Sequence, residues 1–290
     1  MMERKKDYQK WLFLLPAFII YMFVIVYPGL ASLYISLFKW NGTMTNKTFV
    51  GLRNYEDLFR YDSVFPIAVK NNLIWVILTI VVSTSIALLL ALLLNRRFKG
   101  RAFFRGVFYF PYMLSGIVAG IIWVWLYDPQ MGLLNGILKA VGLGNYAKLW
   151  LSDGNIALYA VFVAYMWKSI GGPMILFLAG LQAIPLDALE AAAIDGASKI
   201  RKLFNIIVPL LKETFVIVIA TQVIDALKVY DVLHIMTGGG PANTTHTLAT
   251  WMIKRTFIFA DYGSGTSIAW IMVFIMMLII IPYTYFMAKD

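Results

Sequence analysis

Six separate stretches of this sequence are each long and apolar enough to cross a lipid bilayer. They run over about 11–37, 71–94, 104–127, 155–180, 214–236 and 266–287. A bilayer core about 30 Å thick needs about 20 helical residues. Lipid offers no partner for backbone N–H and C=O groups, so each stretch is expected to satisfy its own as a helix. The runs are continuous and lack the period-2 alternation of barrel strands. The expected fold is an all-α integral membrane protein with about six transmembrane helices. It reads as one domain, 1–290, with one long loop outside the membrane, 181–213.

Composition agrees. Hydrophobic residues make up 61% of the chain and charged residues 14%, against about 45–50% and about 25% in soluble domains. The net charge is +10, but the basic residues cluster beside apolar blocks rather than forming an aromatic-interleaved stripe. Nucleic acid is therefore not an expected partner; the lipid bilayer is. The absence of cysteine excludes a thiolate metal site, a disulfide frame and a cysteine nucleophile. His234 and His246 do not make a metal cluster.

Basic residues also set the expected orientation. Arg4, Lys5, Lys6 and Lys10 precede the first block; Arg96, Arg97, Lys99, Arg101 and Arg105 follow the second. Lys199, Arg201, Lys202 and Lys212 follow the fourth, and Lys289 ends the chain. The opposite loops mix their basic residues with Glu56, Asp57, Asp62, Asp128, Asp153 and Asp261. Short, densely basic loops stay in the cytoplasm, which places both termini there. The run from Trp11 to about Phe38 exceeds the 7–15 residues of a signal-peptide core, so a retained helix is expected. Trp11, Trp40, Trp123, Trp125, Trp150 and Trp251 lie near segment ends, where they read as interface anchors.

Proline and glycine interrupt several segments: Pro16 and Pro28, Pro111, and Gly171-Gly172-Pro173. These read either as kinks or, in the fourth segment, as a bend around a translocation cavity. Ionisable residues within a membrane are functional candidates. Lys168 lies in mid-segment after Tyr165 and Trp167. Asp225 and Lys228 lie three apart on one expected helical face with Gln222. Trp167, Lys168, Gln222, Asp225, Lys228 and Tyr230 combine polar groups with aromatic rings and make the candidate solute path. The alternatives are a mutually neutralising Asp225–Lys228 pair and a Lys168–Asp225 latch between helices. Asp231 and His234 read as solvated.

The most informative stretch is LQAIPLDALEAAAIDGASKIRKLFNIIVPLLKE, 181–213. Pro185 suits the start of a helix, and Gly196 its left-handed end. Ser198 can cap a second helix, Lys199 to about Val208, with Pro209 bounding it. Ala191, Ala192 and Ala193 make a smooth surface, and Leu186, Leu189, Leu203 and Phe204 add apolar area. Such a hairpin could dock into a partner or rest on the membrane surface.

This stretch resembles the EAA motif of ABC-importer permease subunits. Glu190-Ala191-Ala192, Gly196 and Ile206-Ile207-Val208-Pro209 hold the motif spacing, with Val208 in place of Leu as the one departure. Phe49 to Tyr55, Phe110-Pro111-Tyr112, Pro129 to Asn135 and Thr237 to Pro241 look like the carbohydrate-uptake branch, the maltose-type permeases. The resemblance implies a cytoplasmic coupling helix seated in a nucleotide-binding subunit. It places Glu190, Ala191, Ala192, Asp195, Gly196 and Pro209 at that joint. It also implies a second homologous permease, two ATPase subunits that carry ATP and Mg, and an extracellular or periplasmic sugar-binding protein. The setting would be the cytoplasmic membrane of a prokaryote. This chain would bind no cofactor and catalyse no reaction.

The missing phosphate loop agrees: the nearest stretch, Gly142 to Lys148, has Ala147 where the second glycine must be. Two rival readings remain. An ion-gradient-driven secondary transporter would use Asp225 and Lys228 as an ion relay, but it leaves the Glu190 loop without a purpose. A membrane enzyme acting on lipid would need interfacial carboxylates or histidines in clusters, which the sequence lacks.

Overall fold

The computed structural model describes residues 2–43 and 47–288. The side chains of residues 2–10, 192–193 and 288 lie outside the described residues, as does Lys289. The basic N-terminal tail, Ala192 and Ala193 are therefore followed only along the backbone. Among the described residues the regular elements are helices, apart from a two-residue antiparallel pairing, Phe38–Lys39 with Thr48–Phe49, which the sequence pattern did not signal. Three helices among the described residues are long and apolar enough to span a membrane: Trp11–Ser36, Phe65–Asn95 and Tyr262–Met287. Three bent pairs bring the possible spans to six: Arg101–Met113 with Gly116–Leu126, Ala157–Ser169 with Gly171–Ala183, and Lys199–Leu210 with Lys212–Met236.

The residues fall into two compact units. The first comprises Met1–Asp62 with Met252–Ile271. Its long helix is not interrupted by Pro16 or Pro28. A π-turn at Met22–Val26 widens the helix just before Pro28, which sits in the first turn of Tyr27–Ser36. Ser36 is the first buried residue along it, so its apolar side chains face outward along its length, as lipid requires. Asn54 organises the far end by donating to the carbonyls of Ser36 at 2.7 Å and Phe38 at 2.9 Å.

The second unit comprises Ser63–Trp251 with Met272–Asp290. One apolar cluster surrounds Trp75, Val161, Leu227 and Leu233; another surrounds Ala87, Met174, Phe177 and Leu211. Trp251, expected at an interface, is instead a core residue, 5% exposed and packed on His246. Trp150 Nε1 donates to Asn135 Oδ1 at 2.8 Å, and Asn135 also donates to Lys148 O. This gives the Pro129 to Asn135 stretch a structural role. Beside it, the backbone N–H groups of Met131 and Gln130 hold the Asp128 carboxyl below the usual carboxylate range.

The third, fourth and fifth segments do not run straight. The third turns by 102°. Pro111 sits in a 3-10 turn, Phe110–Met113, and Ser115 then starts a new helix, its Oγ accepting from Val118 N at 3.2 Å. The fourth bends by 46° between Ser169 and Gly171. The fifth helix, Lys212–Leu227, stops before Lys228, and a short helix resumes at Asp231–Met236. The Lys228 N–H still bonds to Ile224 O at 3.2 Å, so Asp225 and Lys228 stay within one turn of each other at the helix end. Asp225 is in the last turn and Lys228 caps the helix end.

Candidate functional site: a charged cavity among broken helices and an external hairpin

Glycines let the broken helices meet. A Cβ on Gly171 would lie 2.9 Å from Phe108 O and 2.9 Å from Tyr109 Cα. One on Gly172 would lie 2.8 Å from the Tyr112 ring, and one on Gly116 2.6 Å from Asp231 Cβ. The Gly171-Gly172-Pro173 bend is thus a close contact with the 3-10 turn of the third segment. Since the Gly171 neighbours are backbone atoms, they cannot simply rotate away. Gly171→Val is expected to destabilise the assembled protein by about 1–3 kcal/mol through overpacking. A lowered melting temperature in detergent checks this, and an unchanged one would refute the contact.

Two adjoining, partly open cavities lie beside these contacts. One, about 470 Å³, is lined by Tyr112, Lys168, Asp225, Lys228, Tyr230 and Asp231 among others. The second, about 430 Å³, includes Thr79, Ser83, Tyr109, Gln222 and Thr221, and shares Tyr112, Tyr165, Ser169 and Asp225 with the first. Five of the six candidate path residues therefore line one cavity or the other. Trp167 lines neither; its ring sits edge-on to Trp123, with centroids 5.9 Å apart. Asp231, read from sequence as solvated, is exposed and lines the mouth of the charged cavity. The Lys168 Nζ is 5.9 Å from the centroid of the Tyr112 ring, a loose cation–π contact.

Two residues that the sequence reading passed over fix this region. Asn72, 1% exposed, accepts from Leu248 N at 2.6 Å and donates to Ala226 O at 3.1 Å. Asn71 donates to Thr244 O at 2.7 Å and His246 O at 2.8 Å. Thr247 Oγ1 donates to Val229 O at 3.1 Å. Together they tie the Thr237 to Leu248 loop to the broken end of the fifth helix, beside Asp225. The available signal was a pair of adjacent asparagines at the start of the second apolar stretch.

The external hairpin forms as its sequence suggests, with changes at its end. The first helix is Leu186–Ile194, and Gly196 has φ +70°. Ser198 caps Lys199–Lys202, its Oγ accepting from Arg201 N at 3.3 Å. A π-turn, Leu203–Ile207, leads into Val208–Leu210, so Pro209 lies inside the last helical turn and the break falls at Leu211. Lys202 Nζ donates to Leu189 O at 2.5 Å and holds the two arms together. Glu190, Ala191 and Asp195 are all exposed. Leu186, Ile194, Ile200 and Phe204 are all more than 60% exposed, which is a large apolar area for a hairpin end.

Bent helices around a charged cavity, with an apolar hairpin projecting from them, define a membrane component of a transport system. A family model described as the binding-protein-dependent transport system inner membrane component matches residues 83–289. The sn-glycerol-3-phosphate transport system permease protein UgpA of Agrobacterium fabrum is 34% identical over 279 residues, 95% of this chain and 92% of that protein. The trehalose/maltose transport system permease protein MalF of Thermococcus litoralis is 33% identical over 273 residues, 92% of this chain and 89% of that one. A crystal structure of a bacterial ABC transporter involved in the import of the acidic polysaccharide alginate matches with a TM-score of 0.85 at 20% identity, covering 99% of this chain and 98% of its own.

The chain belongs to the family of inner membrane components of binding-protein-dependent transport systems. It is a membrane permease component of an ABC importer and not an enzyme; ATP hydrolysis belongs to a separate subunit.

Proposed function

We propose that this chain carries a carbohydrate or related polyol across the cytoplasmic membrane by alternating access. It works with a second homologous permease, two nucleotide-binding subunits holding ATP and Mg, and an extracytoplasmic sugar-binding protein. The observation that carries the reading is the charged, aromatic-flanked cavity of Lys168, Asp225, Lys228, Tyr112 and Tyr230 at helix breaks, in a chain of this family. The named relatives support the solute class: trehalose/maltose for one, sn-glycerol 3-phosphate for another. A related alginate transporter was solved with an alginate pentasaccharide-bound periplasmic protein, which supports the binding-protein partner.

In this reading both termini and the hairpin Leu186–Leu210 are cytoplasmic. Glu190, Ala191, Ala192, Asp195, Gly196 and Pro209 form the joint with the ATPase. Closure of the ATPase pair moves the hairpin, and the rigid turn at Gly196 passes that movement to the bent fourth and fifth segments. The cavity then exchanges its inward-facing form for an outward-facing one.

Reconstituted vesicles containing the full complex test this. Uptake of the sugar carried by the binding protein should require ATP and persist when ionophores collapse ion gradients; gradient-dependent, ATP-independent uptake would restore the secondary-transporter reading. Lys168→Ala and Asp225→Ala should each lower uptake at least tenfold in complexes that assemble normally. Unchanged rate and selectivity in both would remove these two residues from the path.

A further inference from the structure

A groove separate from the two cavities lies where the second segment ends beside the hairpin. It holds about 490 Å³, within the size range of ligand pockets, about 300–1,000 Å³. Its lining is aliphatic except for Asn95, Arg96, Lys199 and Lys202, and it contains no acid. Leu89 and Leu93 line it from the second segment, Leu203 and Ile207 from the hairpin. All of these residues belong to the second compact unit.

Basic residues at the end of a span ordinarily set topology and stand in water. Two observations set this group apart. First, the structural work open to cations here is done by others. Arg105 Nη2 donates to Leu94 O at 3.0 Å and so satisfies a carbonyl in the last turn of the second segment. Lys202 Nζ donates to Leu189 O inside the hairpin. The exposed side chains of Arg96 and Lys199 make no hydrogen bond or ion pair among the described residues. They are the two uncommitted cations of the groove.

Second, the groove reaches from these charges to lipid depth. Arg96 follows the last residue of the span Phe65–Asn95, and Leu89 lies about 10 Å of helix rise further in. Leu89 and Leu93 are one turn apart on one face and are 54% and 45% exposed. A water-soluble partner does not follow aliphatic side chains into a bilayer. A wholly apolar occupant leaves the cations unanswered. The groove calls for negative charge at the interface and hydrocarbon below it.

We propose that this groove seats an anionic phospholipid from the leaflet on the hairpin's side. The phosphate lies between Arg96 and Lys199, and one acyl chain lies along Leu89, Leu93, Leu203 and Ile207. Basic groups at the membrane surface attract anionic lipid, and an arginine can offer a phosphate two parallel hydrogen bonds. The lipid is held by two parts of the chain at once, the end of the second segment and the second arm of the hairpin.

The full complex in nanodiscs tests this, with any cysteines of its other subunits replaced. This chain lacks cysteine, so Leu89→Cys carries a single bimane label in the groove. Phosphatidylglycerol and phosphatidylcholine bearing the same nitroxide-labelled acyl chain are compared at equal mole fraction, because nitroxide quenches the label on contact. The quenching constant should be at least threefold larger for phosphatidylglycerol. The Arg96→Gln, Lys199→Gln pair should equalise the two lipids, whereas Arg96→Lys with Lys199→Arg keeps both charges and should keep the preference. A label at Leu278→Cys, 62% exposed on the last span and outside the groove, should not discriminate between them.

Three results would overturn the seat. Equal quenching at Leu89→Cys by both lipids would make the groove ordinary lipid-facing surface. Quenching by neither would mean that a protein subunit covers it. A preference that survives the glutamine pair would place the anion elsewhere. None of these measurements requires transport, so a complex that imports no sugar fails the carbohydrate reading and leaves this test intact.

Discussion

Gly196→Val will leave the transmembrane part folded and reduce ATP-driven uptake at least tenfold. Gly196 has φ +70°, in the left-handed region that costs an L-residue about 1–2 kcal/mol and a β-branched one more. Among the described residues nothing lies within 4 Å of a Cβ built there. Strain, not crowding, is therefore the whole effect within this chain. The strain acts on the turn that joins Leu186–Ile194 to Lys199–Lys202, which sets where Leu186, Ile194 and Ile200 present their exposed apolar surface.

Asparagine tolerates the left-handed region, so Gly196→Asn separates the two causes of a defect. If Gly196→Asn restores uptake, the turn conformation alone matters. If both variants fold but fail to bind the ATPase subunits, a partner approaches closely at Gly196. Should Gly196→Val complexes assemble and still couple ATP turnover to uptake at the wild-type rate, the hairpin is not the mechanical joint.

Asn72→Leu is expected to be more damaging to the fold itself. The leucine is similar in volume but strands Leu248 N–H and Ala226 C=O, both now paired to the Asn72 amide. At about 1–3 kcal/mol for each group, the loss is about 2–6 kcal/mol, a large share of the about 5–15 kcal/mol typical of a folded domain. Little of the complex should assemble, and what does should melt well below the wild type. A melting temperature within about 2 °C of wild type, with full uptake, would show that the tie is dispensable. Asn71→Leu should act in the same direction, because Thr244 O and His246 O lose their donor.

Much of the architecture was legible in the residues. Long apolar blocks announce helices in lipid because the backbone has no other partner there, and all six blocks are helical. Local capping chemistry was equally readable: Gly196 is left-handed and Ser198 caps the second arm of the hairpin, as their residue types require. The breaks were legible only as weaknesses. Pro16, Pro28 and Pro111 look alike in the sequence. The first lies in a continuous helix, a π-turn absorbs the second, and the third accompanies a 102° turn. What differs is the surroundings, since a broken helix persists where a neighbour such as Gly171 can move in against it. Asn71 and Asn72 went unread for a related reason, since their partners are more than 150 residues away.

Sequence by itself determined the class of molecule, the placing of the helices, the turn chemistry of the hairpin and the short roll of charged residues within the spans. These follow from local rules: transfer to lipid, backbone satisfaction and the φ preference of each residue. Only the tertiary structure decided that Lys168, Asp225 and Lys228 line one cavity, that Trp167 turns away to Trp123, and that Thr79 Oγ1, Ser83 Oγ and the Gln222 amide, beside that cavity, find no partner among the described residues. Whether a polar atom in a span is satisfied depends on which distant helix comes within about 3 Å of it, and no local pattern carries that information.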